Sequence, residues 1–188
     1  CVLVMNMTLI IRQATKADLR SILLFEFRNR GWFSQFIPQQ ALSQQSEMYF
    51  KRLLTGKLKQ FQYLVCLPND VLIGRFSGQY LDDSSLEVSY RIAKNFTRQG
   101  IAQYVLKHLL LVWASHGINE VYAQVADHNQ ASIKVLLSCG FELQESQEKA
   151  IKIGPNVHDS LIYRWPIIED VNPLFIKPDD PTIFPEHS

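Results

Sequence analysis

Apolar positions along the chain change period several times, and each change marks a predicted element. Residues 8–13 (TLIIRQ) read as a first strand. Thr15, with Asp18 three positions on, forms an N-terminal capping pattern in which Asp stands in for the usual Glu. In the segment that follows, Leu19, Ile22, Leu23 and Phe27 fall on one helical face, and Gly31 supplies a stop. Residues 39–57 read as a second helix, with Leu42, Met48, Leu53 and Leu54 on its core side and Gly56 at its end. Between the two helices, Trp32, Phe33 and Phe36 are either core anchors or one wall of a substrate cleft.

Three strand patterns follow, at 61–67, 71–81 and 86–93, separated by short turns. That spacing predicts an antiparallel meander, in which Gly74 and Gly78 mark a bulge or a close backbone contact. The period then becomes helical over 101–115, with Ile101, Val105, Leu109 and Val112 on a stripe widened by Leu106, Leu110 and Trp113. A strand at 120–126, a short helix at 132–140, a strand beginning at 141 (FELQ) and a last strand at 159–165 complete the order β-α-α-β-β-β-α-β-α-β-β. The expected class is α/β or α+β, a mostly antiparallel sheet with helices on its faces. Expected boundaries are an N-terminal extension at 1–7, one domain at 8–167 and a Pro-rich tail at 168–188.

Composition narrows the class further. The 188 residues are 47 % hydrophobic and 20 % charged, which is ordinary for a folded domain. A net charge of +1 supplies no field for a polyanion, so nucleic acid is not an expected partner. No apolar run approaches the roughly 18 residues of a membrane span, and the N-terminus lacks the pattern of a signal peptide. Cys1, Cys66 and Cys139 form neither a CxxC pair nor a metal spacing, and the five histidines form no metal spacing either. No metal is expected, and a reduced, cytoplasmic protein, monomer or homodimer, is.

Two segments carry candidate chemistry. In 95–102, a strand leads through a polar loop to Gly100 and then a helix. First-turn helix amides have no intrahelical partners, and the dipole is positive there, so they suit a phosphate or pyrophosphate. Gly100 and the small Ala102 permit close approach to the main chain, and Arg98 offers a charge-assisted contact. A plain strand-to-helix turn has the same pattern. The segment is neither a Walker loop nor a dinucleotide fingerprint. In 123–141, a strand runs into Asn129, and a short amphipathic helix ends at Gly140-Phe141. Asn129 is a helix cap, and its amide also suits a partner that both donates and accepts.

Together these segments resemble the GNAT-type N-acyltransferases, most closely the branch that acetylates protein N-termini, including those of ribosomal proteins. The family window of Arg or Gln, two residues, Gly, one residue, and Gly or Ala falls on Thr97, Arg98, Gln99, Gly100, Ile101 and Ala102. Gly100 and Ala102 match, whereas Thr97 departs from the pattern and Arg98 stands one place late. The later signature stands as Asn129, Ser132, Gly140 and Phe141. The strand before the cradle, with Glu87 and Tyr90, fits as well, and the likeness spans residues 8–167.

The resemblance implies an acetyl-CoA-dependent N-acetyltransferase. Acetyl-CoA would be bound as cosubstrate, with its pantetheine arm along Val88, Tyr90 and Ile92 and its pyrophosphate at Arg98, Gln99, Gly100, Ile101 and Ala102. Asn129 and Ser132 would make further contacts. The amine, of a small molecule or of a protein N-terminus, attacks directly without a covalent enzyme intermediate. Glu87 is the expected base, or else a surface carboxylate; Ser132 the expected contact to the departing thiolate, or else an ordinary first-turn serine. Tyr90 either lines the cleft or packs. The tyrosine some relatives use as general acid is Leu136 here. His128 reads as structural or solvated more readily than catalytic. The acceptor would meet residues 29–40, with Arg28 and Arg30 nearby, and 152–159. A fold relative that senses acyl-CoA without turnover, an interaction module, and an enzyme for a different acyl group are the alternatives.

Overall fold

The computed structural model describes residues 7–166. Seven strands form one sheet in the order β1-β2-β3-β4-β5-β7-β6. The strands are β1 (Ile10–Gln13), β2 (Gln60–Cys66), β3 (Leu72–Tyr80), β4 (Ser85–Ile92), β5 (Glu120–Ala126), β6 (Glu142–Ile153) and β7 (Asn156–Pro166). The helices are α1 (Leu19–Phe33), α2 (Gln39–Ser43), α3 (Glu47–Leu54), α4 (Ile101–Ser115) and α5 (Gln130–Ser138). Every strand pairing is antiparallel except β4 with β5. The expected mixed, mostly antiparallel class is the one observed. Among the described residues no helix is long and apolar enough to cross a membrane.

The main core lies on the α4 side of the sheet. The predicted stripe of α4 is buried there, with Trp113 fully enclosed and meeting Phe61 edge-on at 5.8 Å. Gly78 makes room for Phe61, because a Cβ at Gly78 would lie 2.1 Å from that ring. The register of β2 on β3 shifts between Val65 and Cys66, beside Gly74. Both glycines therefore do what their places in the strand pattern suggest.

On the opposite face, α1 and α3 cover β2 through Ile22, Phe50, Leu53, Leu64 and Cys66. Here the structure corrects several expectations. A 3₁₀ turn over Lys16–Asp18 precedes α1, and α1 runs through Gly31 to Phe33, because Phe33 packs on Phe25 at 5.6 Å. The buried face of α1 is Ile22, Phe25, Glu26 and Phe33. Phe27 lies about 140° around the helix from Ile22 and is 78 % exposed. The predicted second helix is two, since Ser46 starts α3 by accepting from the Tyr49 amide. That start leaves Met48 74 % exposed. The FELQ strand extends to Ile153 as the outer arm of a long hairpin. Residues 142–150 are exposed, so no apolar alternation announces it. The N-terminal extension before Met7 and the Pro-rich tail lie outside the described residues.

Candidate functional site

The site begins where two strands part. β4 pairs with β5 only through Ser85–Glu120, Leu86–Val121 and Glu87–Tyr122. Beyond Glu87, β4 continues along β3 to Ile92 while β5 continues along β7 to Ala126. The Leu81 amide donates to Ser85 (3.0 Å) and the Ala93 amide donates to Ile73 (2.8 Å). Antiparallel bonding alternates along a strand, so the odd residues of β4 bond β3. Leu86, Val88, Tyr90 and Ile92 turn their main-chain groups the other way. Past Glu87, the Tyr90 and Ile92 main chain meets no strand among the described residues. The side chains of Val88 and Ile92 are in the core, so only their backbone reaches the gap.

A cleft of about 920 Å³ occupies this gap. Glu87, Tyr90, Asn129, Ser132, Phe36 and Ile151 are among the residues that line it. Both readings of the aromatic loop hold in part. Phe33 is a core anchor, and Phe36, edge-on to Trp32 at 5.3 Å, is a cleft wall. Tyr90 stacks on Phe76 at 5.2 Å, and its hydroxyl lies 2.9 Å from Ser132 Oγ. Burial pushes its phenol well above the usual range. Asn129 caps α5, its Oδ1 accepting from the Ser132 amide at 3.3 Å. Glu87, in the last β4–β5 pair, borders the cleft, and partial burial raises its carboxyl pKa.

The loop before α4 is a 3₁₀ turn, Lys94–Phe96, followed by two left-handed residues, Arg98 (φ 60°) and Gly100 (φ 76°). The first α-helical bond there is from the Tyr104 amide to the Gly100 carbonyl, 3.0 Å. The amides of Ile101, Ala102 and Gln103 precede it, and Gly100 has no side chain to cap them. Thr97 Oγ1 donates to Lys94 (2.7 Å), and Gln99 Nε2 donates to Asn95 (3.1 Å). These two side chains hold the loop itself. Arg98 is exposed, and Ile101 is buried in the core.

On the other face of β4, Glu87, Ser89 and Arg91 look toward α1 and α3 and line a polar pocket of about 100 Å³. The Ser77 and Ser89 hydroxyls meet there at 2.6 Å. Arg75 is buried at its base. It donates to Glu26, to Gln62 (3.2 and 3.0 Å) and to Gln45 (3.4 and 3.3 Å), and its guanidinium lies 4.6 Å from the Phe50 ring. Burial lowers its pKa to about 10, so it stays protonated at neutral pH. Arg91 Nη1 donates to the second Glu26 oxygen at 2.5 Å. Sequence reasoning missed Glu26 and Arg75; the signal was an arginine inside an apolar strand. Arg28 and Arg30 are exposed on α1 and are not among the residues that line the cleft.

His128 is a brace. Its Nε2 donates to the Gln35 carbonyl (2.8 Å), and its ring stacks on His158 at 3.8 Å. His158 Nδ1 in turn lies 3.1 Å from Asp127. Asp127, His128 and His158 bring ligand-type atoms within 4.8 Å of one another, a proximity that linear spacing hides. Stacked imidazoles point their in-plane lone pairs side by side rather than at one point, which suits a brace better than a metal. Cys66 and Cys139 are unpaired and buried, and burial raises both thiol pKa values.

A family model described as an acetyltransferase (GNAT) domain matches residues 8–142. Among solved structures, RimL, a ribosomal L7/L12 alpha-N-protein acetyltransferase in complex with coenzyme A, aligns with a TM-score of 0.75 at 23 % identity, covering 85 % of this chain and 94 % of its own. A ribosomal-protein-S5-alanine acetyltransferase from Vibrio fischeri gives 0.73 at 18 %, covering 84 % and 92 %. A spermidine N-acetyltransferase from Vibrio cholerae, in complex with CoA and spermine, gives 0.69 at 20 %, covering 84 % and 95 %. No curated protein matches the chain in sequence. At these identities the likeness to the solved structures is one of fold.

Proposed function

Because the chain belongs to the GNAT acetyltransferase family, we propose that it transfers an acetyl group from acetyl-CoA to a primary amine by direct attack in a ternary complex. The observation that carries this is the parting of β4 from β5 at Glu87, which opens a cleft between unpaired main chain and a carboxylate. The residues present fit the cosubstrate. Left-handed Gly100 leaves the first-turn amides of Ile101, Ala102 and Gln103 uncapped for a pyrophosphate. Tyr90 and Ile92 offer an extended edge for an amide-bearing arm, and the Asn129 amide lines the same cleft. When bound, acetyl-CoA supplies an acyl thioester open to an amine.

The chain's own groups then divide the work. Glu87 takes the proton of the incoming ammonium, directly or through water; burial moves its pKa toward the working range of a general base. The Tyr90 amide donates to the thioester oxygen as charge develops there. The Ser132 hydroxyl, paired with the Tyr90 phenol, donates a hydrogen bond to the departing sulfur, which leaves as thiolate and takes its proton from water. The raised Tyr90 pKa keeps that pair protonated at neutral pH. With Leu136 where some relatives carry a tyrosine general acid, this hydrogen bond is what the site offers the sulfur.

The test is to supply acetyl-CoA with a panel of free amines, amino acids and peptide N-termini and to follow thiol release. Acceptor-dependent thiol supports the reading. Tight cofactor binding without such release across the panel would instead make this chain a binding module.

A further inference from the structure

The end of the polar pocket away from Glu87 holds an imbalance of charge. One carboxylate, Glu26, is shared between two guanidinium groups, Arg75 and Arg91. All three side chains are largely enclosed, at 9 %, 5 % and 15 % exposure respectively. Two guanidinium groups share one carboxylate at this end of the pocket, while Glu87, the carboxyl in its lining, stands at the far end, so a guanidinium here is left without a full counter-charge in a partly desolvated place.

Arg75 is not where that charge can be answered. Its donors are already directed at Glu26, Gln62 and Gln45, and its flat face is covered by Phe50. Arg91 differs. It holds Glu26 through Nη1 and lies over the Phe33 ring at 5.5 Å, while its Nε and Nη2 find no acceptor among the described residues. It lines both the polar pocket and the large cleft. Glu87 lies four residues away on the same face of β4, about 13 Å between Cα atoms of an extended strand, and the two side chains form no ion pair.

On the acetyl-transfer reading, we infer that Arg91, braced by Glu26 and Arg75, seats an anionic group of the acceptor, with the reacting amine at Glu87. A guanidinium with adjacent unused N–H donors is shaped for a carboxylate. The acceptor class is therefore an amine that also carries a carboxylate. Since Ser89 separates the two ends, that carboxylate stands beyond the α-carbon. It is either the side-chain acid of a free amino acid or an acidic residue next to a peptide's N-terminus. A polyamine would bring a second ammonium up against the Arg91 guanidinium.

The experiment compares acceptors matched for size at saturating acetyl-CoA. Glutamate is set against glutamine, and Ala-Glu against Ala-Gln as C-terminally amidated peptides, with spermidine as the polycation. The expected result is a preference of about tenfold or more in kcat/KM for the acidic member of one pair, which also tells the free acid from the peptide. Arg91→Gln should bring that ratio near one, and Arg91→Lys should retain part of it. The ratio is the readout, so a general loss of activity does not mimic the effect. Equal use of acidic and neutral members by the unmodified protein, or better use of spermidine, overturns the proposal while leaving acetyl transfer intact. If no amine is acetylated, thermal-shift titration with N-acetylglutamate and N-acetylglutamine in the presence of CoA still decides. Selective stabilisation by the acid, lost in Arg91→Gln, supports the seat although transfer has failed; no selectivity overturns it.

Discussion

At Glu87, one half-buried carboxyl acts on activity and on stability in opposite directions. Burial raises its pKa, so the folded state holds its proton to higher pH than the unfolded chain does. Stability therefore falls as pH rises from the ordinary glutamate pKa through the raised one. Replacing Glu87 with Gln should lower turnover by about a hundredfold or more and flatten the acidic limb of the rate profile. The same change should leave the melting temperature at pH 7 equal or higher, which paired kinetics and calorimetry would check; an unchanged rate profile would remove Glu87 as the base. Gly78 gives the contrasting case. Gly78→Ala drives a methyl into the Phe61 ring and should cost about 1–3 kcal/mol of stability by denaturant unfolding. Glu87 and Gly78 were readable in the chain because each has a local mark: a lone acid in a strand, a glycine among β-formers. Glu26 had none, since its role depends on two arginines that are 49 and 65 residues distant in sequence.

At the level of elements, the loop into α4 is set by backbone shape more than by side chains. Thr97 and Gln99 bond the loop's own carbonyls, so the departure from the family pattern at Thr97 leaves the uncapped amides in place. Gly100→Val places a branched residue at φ 76°, a strain of about 1–2 kcal/mol. It should weaken acetyl-CoA binding in a calorimetric titration while the helical circular dichroism signal is kept. Undiminished affinity would move the pyrophosphate elsewhere. α4 itself was fully legible, because a buried helix repeats its apolar stripe over four turns. The β6 strand was not, because its exposed residues obey no such period. The break between α2 and α3 was missed for a related reason. A serine cap inside a Gln-rich stretch looks like any other polar position until Ser46 is seen accepting from Tyr49.

For the molecule as a whole, the class and, apart from the split of the second helix, the order of elements followed from periodicity, whereas the position of β7 between β5 and β6 is a long-range choice that no local pattern encodes. The resulting sheet is continuous in name only. Three residue pairs between β4 and β5 are all that join four strands on one side to three on the other. A seam that short has its own dynamics. Amide hydrogen exchange should be faster at Val88 and Tyr122 than in the paired interior of β2 and β3, because a few bonds opening together suffice to expose them. Saturating acetyl-CoA should slow the seam selectively, and exchange there that ignores the ligand would argue against a molecule lying across the gap. If it does lie there, the cosubstrate completes the ladder that the polypeptide leaves open, and the loaded protein unfolds as one cooperative unit where the empty one has a line of weakness.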